Sequence, residues 1–335
     1  MGIFINYGGG FMKKFLFIGF LLMAFVLVFS NELVVYTYES LSWIEEGLVQ
    51  KFEEMYNCDV KVVKLGDAGN VLTRLMLEKK NPRADVVLGL DQSLSAKAIQ
   101  ENLLIPYKSD NVEKIKDDTL IFDKEFYVTP FDYGAIAIIY DPDKITDELR
   151  SFEDLTKYEK SLIVQDPRAS STGQAFLLWT IAVYGEGWQD FWKRLMPAIL
   201  TISPSWDDSF AQFEMGQAPM MVSYATDSAY SQYYYGTSKY KVFIPKEGAY
   251  VQIEGAGIIN GTKNFELAKR FIDFLLTEDF QREVPLNQWM FPVTNVELPK
   301  VYEYAVIPDR ILTIDDNIIS KNLEKWLSEW EDLVF

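Results

Sequence analysis

The 335-residue chain has no histidine and a single cysteine, Cys58. Without histidine, imidazole metal sites and histidine-dependent nucleophilic triads are excluded. One cysteine cannot close an internal disulfide. Positive charge is scarce as well: 32 Lys and Arg stand against 49 Asp and Glu, a net charge of −17. Such a surface repels nucleic acid and anionic membranes and favours cationic ligands at long range. Nucleophile-elbow, phosphate-loop and zinc-protease motifs are missing too. Neighbouring acids such as Glu45-Glu46 and Asp207-Asp208 suit helix starts or solvated faces better than a catalytic pair. The expectation is a protein that is not an enzyme and that carries no cofactor and no metal.

Long apolar runs are limited to one. Met12-Lys13-Lys14 precedes the uncharged run from Phe15 to Phe29, and Val28-Phe29-Ser30 follows the pattern of a signal-peptidase site. The run has 15 residues, short of the roughly 20 that span a bilayer. It reads as a cleaved leader rather than an anchor, with translation from Met12 and residues 1–11 an upstream extension. No cysteine near the cleavage point offers a lipid anchor. The expectation is export to the periplasm after loss of residues 1–30. That loss removes Lys13 and Lys14 and no acid, leaving a net charge of −19.

The remainder is long enough for two lobes. Strand-like runs at 33–38, 60–63 and 84–90 alternate with helical patterns at 43–56, 71–79 and 93–100. The alternation restarts with strands at 162–165 and 219–224 and helices at 174–183, 188–196 and 207–215. Strands at 126–130 and 134–140, flanking Phe131-Asp132-Tyr133, read as a two-strand crossover. A strand at 257–260 and helices at 265–276 and 317–330 complete the reading. The fold class expected is α/β, two mostly parallel sheets flanked by helices. Lobe 1 is expected to take residues 31–131 and about 252–283, and lobe 2 residues 132–251 and about 284–335.

Ligands of such sheets bind beyond the carboxyl ends of the strands. The residues there include Tyr38, Asp67, Ala68, Ser170, Ser171, Trp206, Tyr224-Ala225-Thr226-Asp227 and, in a late loop, Trp289. Trp43 joins them as a further ring. The set is rich in aromatics and carboxylates and poor in Lys and Arg, which suits a flat organic cation. The tract Ser170-Ser171-Thr172-Gly173 follows a strand and opens a helix. It reads either as a plain N-cap or as a cradle for an anion or hydroxyl group. Trp179, Phe191 and Trp192 fall within helical runs and are assigned to packing, and Tyr233-Tyr234-Tyr235 to surface or packing.

Several segments then carry a family resemblance. They are Val35-Tyr36-Thr37-Tyr38-Glu39-Ser40, Ala84 to Asp91, Pro130-Phe131-Asp132-Tyr133-Gly134, Gln165 to Ser170, Val222 to Thr226 and Asn287 to Val293. In this order and spacing the chain resembles the periplasmic thiamine-binding proteins of ABC transporters, within a wider group that includes ferric-ion-binding proteins. The resemblance implies a fold that closes on thiamine or its phosphate esters and delivers them to an inner-membrane permease, and a monomer is expected. Carried over, the ligand positions fall on Asp67, Ala68, Ser170, Ser171, Trp206 and Tyr224 to Asp227. Asp67 or Asp227 would offset the ligand's charge, and Ser170 and Ser171 would hold its hydroxyethyl or phosphate end. Gly66-Asp67-Ala68 stands where the family turn commonly reads Glu-Asp-Gly, so Ala68 is expected to act through its backbone. Ser171-Thr172-Gly173 stands where Thr-Pro-Gly is common, which adds a hydroxyl. The alternatives are a ferric-ion binder, for which Tyr224-Ala225 offers one phenol in place of two adjacent ones, a polyamine binder, and an exported hydrolase.

Overall fold

The computed structural model describes residues 1–2 and 31–335; the leader read at 12–30 lies outside the described residues. In chain order the first elements are β1 (Glu32–Thr37), α1 (Leu48–Tyr56), β2 (Asp59–Lys64), α2 (Ala68–Glu78), β3 (Val86–Asp91) and α3 (Gln92–Gln100). Next come β4 (Leu104–Ile105), β5 (Thr129–Tyr140), α4 (Phe152–Leu155), β6 (Leu162–Gln165), α5 (Ser171–Tyr184), α6 (Trp188–Leu195) and β7 (Ile199–Ser203). They are followed by α7 (Trp206–Glu214), β8 (Met220–Tyr224), α8 (Asp227–Tyr235), β9 (Lys241–Phe243) and β10 (Ala249–Ile259). The chain closes with α9 (Phe265–Leu275), α10 (Glu278–Gln281), α11 (Val284–Asn287), β11 (Phe291–Pro292), β12 (Ile311–Leu312) and α12 (Asp316–Val334). Among the described residues no helix is long and apolar enough to cross a membrane.

The strands order as β2-β1-β3-β10-β5-β8-β6-β7. The outer pairs, β1 with β2 and β3 and β6 with β7 and β8, are parallel. The central pairs, β3 with β10, β10 with β5 and β5 with β8, are antiparallel. Helices connect the parallel strands, as crossover connections require. This is the two-lobed α/β architecture, with one parallel set at each end and the two longest strands joining them.

The crossover differs from the sequence expectation. Thr129 to Tyr140 is one unbroken strand, not two strands around Phe131-Asp132-Tyr133. Its partner in crossing is β10, of which only the last residues were expected. β5 pairs with β10 up to Ala135 and then with β8 from Ile136. Asp132, expected between two strands, lies within the one strand, fully buried and facing Glu254 across the ladder. Gln252, Glu254, Gly255 and Gly257 hide β10, because they break the apolar run that marks a buried strand. The helix expected over 43–56 also divides. A 3-10 segment, Glu39–Glu45, ends before Gly47, whose φ of 109° a side chain rarely tolerates, and α1 starts after it.

Two aromatic cores hold the lobes. In the first, Phe52 meets Phe271 edge-on at 5.2 Å, beneath the fully buried Val35, Val86, Val87 and Leu88. In the second, α5 is buried from Ser171 to Ile181 and Phe152 meets Trp179 at 4.6 Å. Trp179, Phe191 and Trp192 are packing residues, as expected, each at most 1% exposed. Burying one such ring contributes on the order of 2 kcal/mol.

Candidate functional site

A cavity of about 360 Å³ opens where the ends of β1, β8 and the α2, α5, α7 and α8 N-termini converge on β10. Of the twelve residues expected at a site, eight line it: Tyr38, Trp43, Asp67, Ser171, Trp206, Tyr224, Asp227 and Trp289. Ala68, Ser170, Ala225 and Thr226 do not. Each is at most 1% exposed, and each supports the frame. Ala68 gives its N–H to Asp67, and Ser170 caps α5 by accepting from Gly173 N. Ala225 exchanges backbone bonds with Ala135 and Val306, and Thr226 precedes α8, where its backbone carbonyl accepts from Ala229 N and Tyr230 N while its side chain caps nothing.

Asp67 is the N-cap of α2, and its carboxylate reaches two further helices. It accepts from Ala68 N at 2.6 Å, from Ser171 N at 3.3 Å and from Trp206 N at 3.1 Å. Ala68, Ser171 and Trp206 are the first residues of α2, α5 and α7, so three helix N-termini point their free N–H groups at one carboxylate. Burial pushes the Asp67 carboxyl up, while these N–H groups and the Ser170 hydroxyl pull it down. The approach of α2 to α5 requires Gly69. Its N–H donates to Ala169 O at 3.0 Å, and a Cβ there would sit 2.4 Å from that oxygen. The serine tract is thus both a cap and an anion cradle, and the anion it holds is the chain's own Asp67.

Aromatic rings form the opposite sides. Trp289, in the left-handed region at φ 58°, stacks on Tyr302 and meets Tyr230, Tyr233 and Tyr234 at 5.2–5.8 Å. Trp206 stacks on Phe210 at 4.8 Å, and its Nε1 donates to Ser223 Oγ at 3.0 Å, which fixes the ring's orientation. Ser223 Oγ in turn donates to Asp227 Oδ2. Burial raises the Asp227 carboxyl to about 7 despite that bond.

A second hydrogen-bonded chain runs along the floor. Trp43 Nε1 donates to Gln288 Oε1, Gln288 Nε2 donates to Tyr38 Oη, and Tyr38 Oη donates to Glu254 Oε2 at 2.6 Å. Tyr38 can lie there because Gly89 has no side chain: a Cβ would come within 2.3 Å of the ring. Gly89 sits at φ 95° as the extra residue of a bulge opposite Gly255. On the other side, Tyr224 Oη bonds Thr172 Oγ1 and donates to Gln252 Oε1. None of the ion pairs among the described residues involves Asp67, Asp91, Asp132, Asp227 or Glu254.

Thr172, part of the expected cradle tract, also lines the cavity, as do Glu254, Gln288, Phe210, Tyr230 and Tyr234, which sequence reasoning missed as site residues. Two signals could have found some of them. Asp227, Tyr230 and Tyr234 recur at i, i+3 and i+7, one face of a helix. Gln252 and Glu254 are two apart, on one face of a strand. Tyr234, assigned to surface or packing, is a surface residue that also borders the cavity. A larger cavity, about 1000 Å³, lies along Tyr133, Val251 and Ile253. These alternate with Asp132, Gln252 and Glu254 along the same strands, so it opens on the other face, away from the strand ends and the convergent acids.

Residues 81–322 match the family described as bacterial extracellular solute-binding protein. The thiamine-binding periplasmic protein of Brucella melitensis is 34% identical over 314 residues, covering 90% of this chain and 91% of that protein. The protein of that name from Escherichia coli K12 is 34% identical over 320 residues, covering 94% and 97%. A solved periplasmic thiamin binding protein superposes with a TM-score of 0.84 at 32% identity, over 91% of this chain and 96% of its own. The apo ferric ion-binding protein A of Pasteurella haemolytica shares the fold at 19% identity, with a TM-score of 0.76 over 91% and 98%.

Proposed function

The chain belongs to the bacterial extracellular solute-binding protein family, and from that premise we propose that it captures thiamine or its phosphate esters in the cleft described above. It is a periplasmic, non-enzymatic component of an ABC transporter, and its partners are a small-molecule ligand and the permease. We take it to act as a monomer without cofactor.

The observation that carries the reading is the pairing of ring faces with buried acids in a cavity that no cationic side chain lines among the described residues. Thiamine is a flat pyrimidine and a permanently cationic thiazolium, joined by one carbon, with a hydroxyethyl tail. About 360 Å³ lies within the range of about 300–1,000 Å³ usual for small-molecule sites. Trp289 with Tyr230 and Tyr234 offers one ring face, and Trp206 with Phe210 another. Cation over an aromatic face contributes about 0.5–2 kcal/mol. Asp227 or Glu254 meets the charge or the aminopyrimidine, and Ser171 and Thr172 meet the hydroxyethyl or phosphate end. Closing the lobes over the ligand would present a distinct form to the permease.

Titration calorimetry of ligand-free protein with thiamine, thiamine monophosphate and thiamine diphosphate tests this. Saturable one-to-one binding of at least one of them is expected. Heat from none, with tight binding of Fe(III) instead, would overturn the reading in favour of iron.

A further inference from the structure

Strand β10 brings two acids of neighbouring strands against Glu254. Asp132 lies directly across the β5 ladder, and Asp91 across the β3 ladder. All three are at most 2% exposed. Asp91 is satisfied: it accepts from Leu94 N, Ser93 Oγ and Gln252 Nε2. Asp132 is not, because neither of its carboxylate oxygens has a hydrogen-bond partner among the described residues. Glu254 lines the cavity and has Tyr38 Oη as its one donor. Among the described residues, the titratable groups that face this pair from other elements are Asp67 at the start of α2, Tyr38 after β1, Tyr224 from β8 and Tyr302 after β11, all of them acids or phenols. Burial, with Asp91 and Asp67 behind it and Tyr38 opposing, pushes Glu254 up to about 8. Burial and then Glu254 push Asp132 well above the carboxylate range. Both shifts favour the protonated acids in this pair.

We propose that Glu254, backed by Asp132, is the counter-group for the ligand's positive charge, and that the cation enters the cleft in exchange for a proton. The inference rests on the thiamine reading above. A quaternary thiazolium has no ring-nitrogen proton to give, so charge balance inside the cleft comes from the protein. The Glu254 carboxylic acid releases H⁺ to solvent and stays as carboxylate beside the thiazolium, and no covalent bond forms or breaks. Tyr38, tied to Gln288 and through it to Trp43, then donates to a carboxylate rather than to a neutral acid, a stronger bond. Linkage gives the sign. Below about pH 8 the free acid is protonated, so apparent affinity rises with pH, by at most tenfold per unit for one proton. Above about 8 the free group is already ionised and the dependence flattens.

Calorimetric titration of the wild-type protein with thiamine, in buffers of equal pH and different ionisation heat, counts the protons released. Close to one is expected near pH 6.5, falling toward zero above pH 8, and none for the uncharged analogue in which carbon replaces the thiazolium nitrogen. Glu254→Gln should abolish the release, and its affinity deficit for thiamine should widen as pH rises. Thiamine binding by the wild type with no proton release and no pH dependence would overturn the exchange and leave the thiamine reading standing. No thiamine binding at any pH would overturn both. If Glu254→Gln fails to fold, the wild-type proton count and the comparison with the uncharged analogue still decide.

Discussion

Two buried carboxylate sites border one cleft and are built in opposite ways. Asp67 is surrounded by donors: three helices end on it, and each offers an N–H. Glu254 and Asp132 face other acids and phenols, and among the described residues Tyr38 Oη is the donor to Glu254. Burial opposes ionisation at both, yet only the first has its charge compensated by the fold. The carboxylate that closes the frame is satisfied by backbone N–H groups, whereas the one proposed to meet a cationic ligand has a single phenol as donor and no cationic partner among the described residues.

The largest expected effect that separates the two sites is on pH. Glu254 and Asp227 have raised folded-state values, about 8 and about 7, so the folded protein binds more protons than the unfolded chain between about pH 4.5 and 8. Their stabilising contribution is complete below the unfolded value and is lost as pH rises through the folded one. Ligand-free protein should therefore be less stable at pH 8.5 than at pH 5.5, by up to about 1.4 kcal/mol per pH unit per proton. Urea unfolding at both pH values checks this, and Glu254→Gln should flatten the slope. Next, Asp67→Ala should lower ligand-free stability at pH 7 by about 3 kcal/mol, because the α5 and α7 N–H groups lose their acceptor. Glu254→Gln should cost little or raise stability, since it removes an uncompensated buried acid. If both variants shift stability alike, the distinction between the sites is wrong.

Two smaller changes probe the ring faces that flank the acids. Trp289→Ala removes the ring to which Tyr230, Tyr233 and Tyr234 pack, and should weaken thiamine binding by about 2 kcal/mol, some thirtyfold. Trp206→Phe keeps the face above Phe210 and loses only the bond to Ser223, so about 1 kcal/mol is expected. Both are read by calorimetric titration.

Much of this arrangement was legible in the sequence, and the rest was hidden for physical reasons. Strand and helix alternation identifies the parallel sets, and the strand-end rule reaches Tyr38, Asp67, Ser171, Trp206, Tyr224 and Asp227 without coordinates. What it cannot show is direction. Ser170 and Ser171 are adjacent, yet one faces the helix frame and the other the cavity. Trp43 seemed to begin a long helix until Gly47 divided it. Glu254 was invisible because its strand is broken by polar residues and glycines that matter only once β5 and β3 lie beside it. The bulge at Gly89 that admits the Tyr38 ring depends on a partner about 165 residues away, a pairing that no local pattern records.

The proposed selectivity of the cleft is for a flat cation. Its most direct test compares, at pH 8 by calorimetric titration of ligand-free wild-type protein, thiamine with the uncharged analogue that has carbon in place of the thiazolium nitrogen. Both should bind one-to-one, with a preference for thiamine of at least about tenfold, about 1.4 kcal/mol. Equal affinity for the two, or preference for the uncharged analogue, would contradict it.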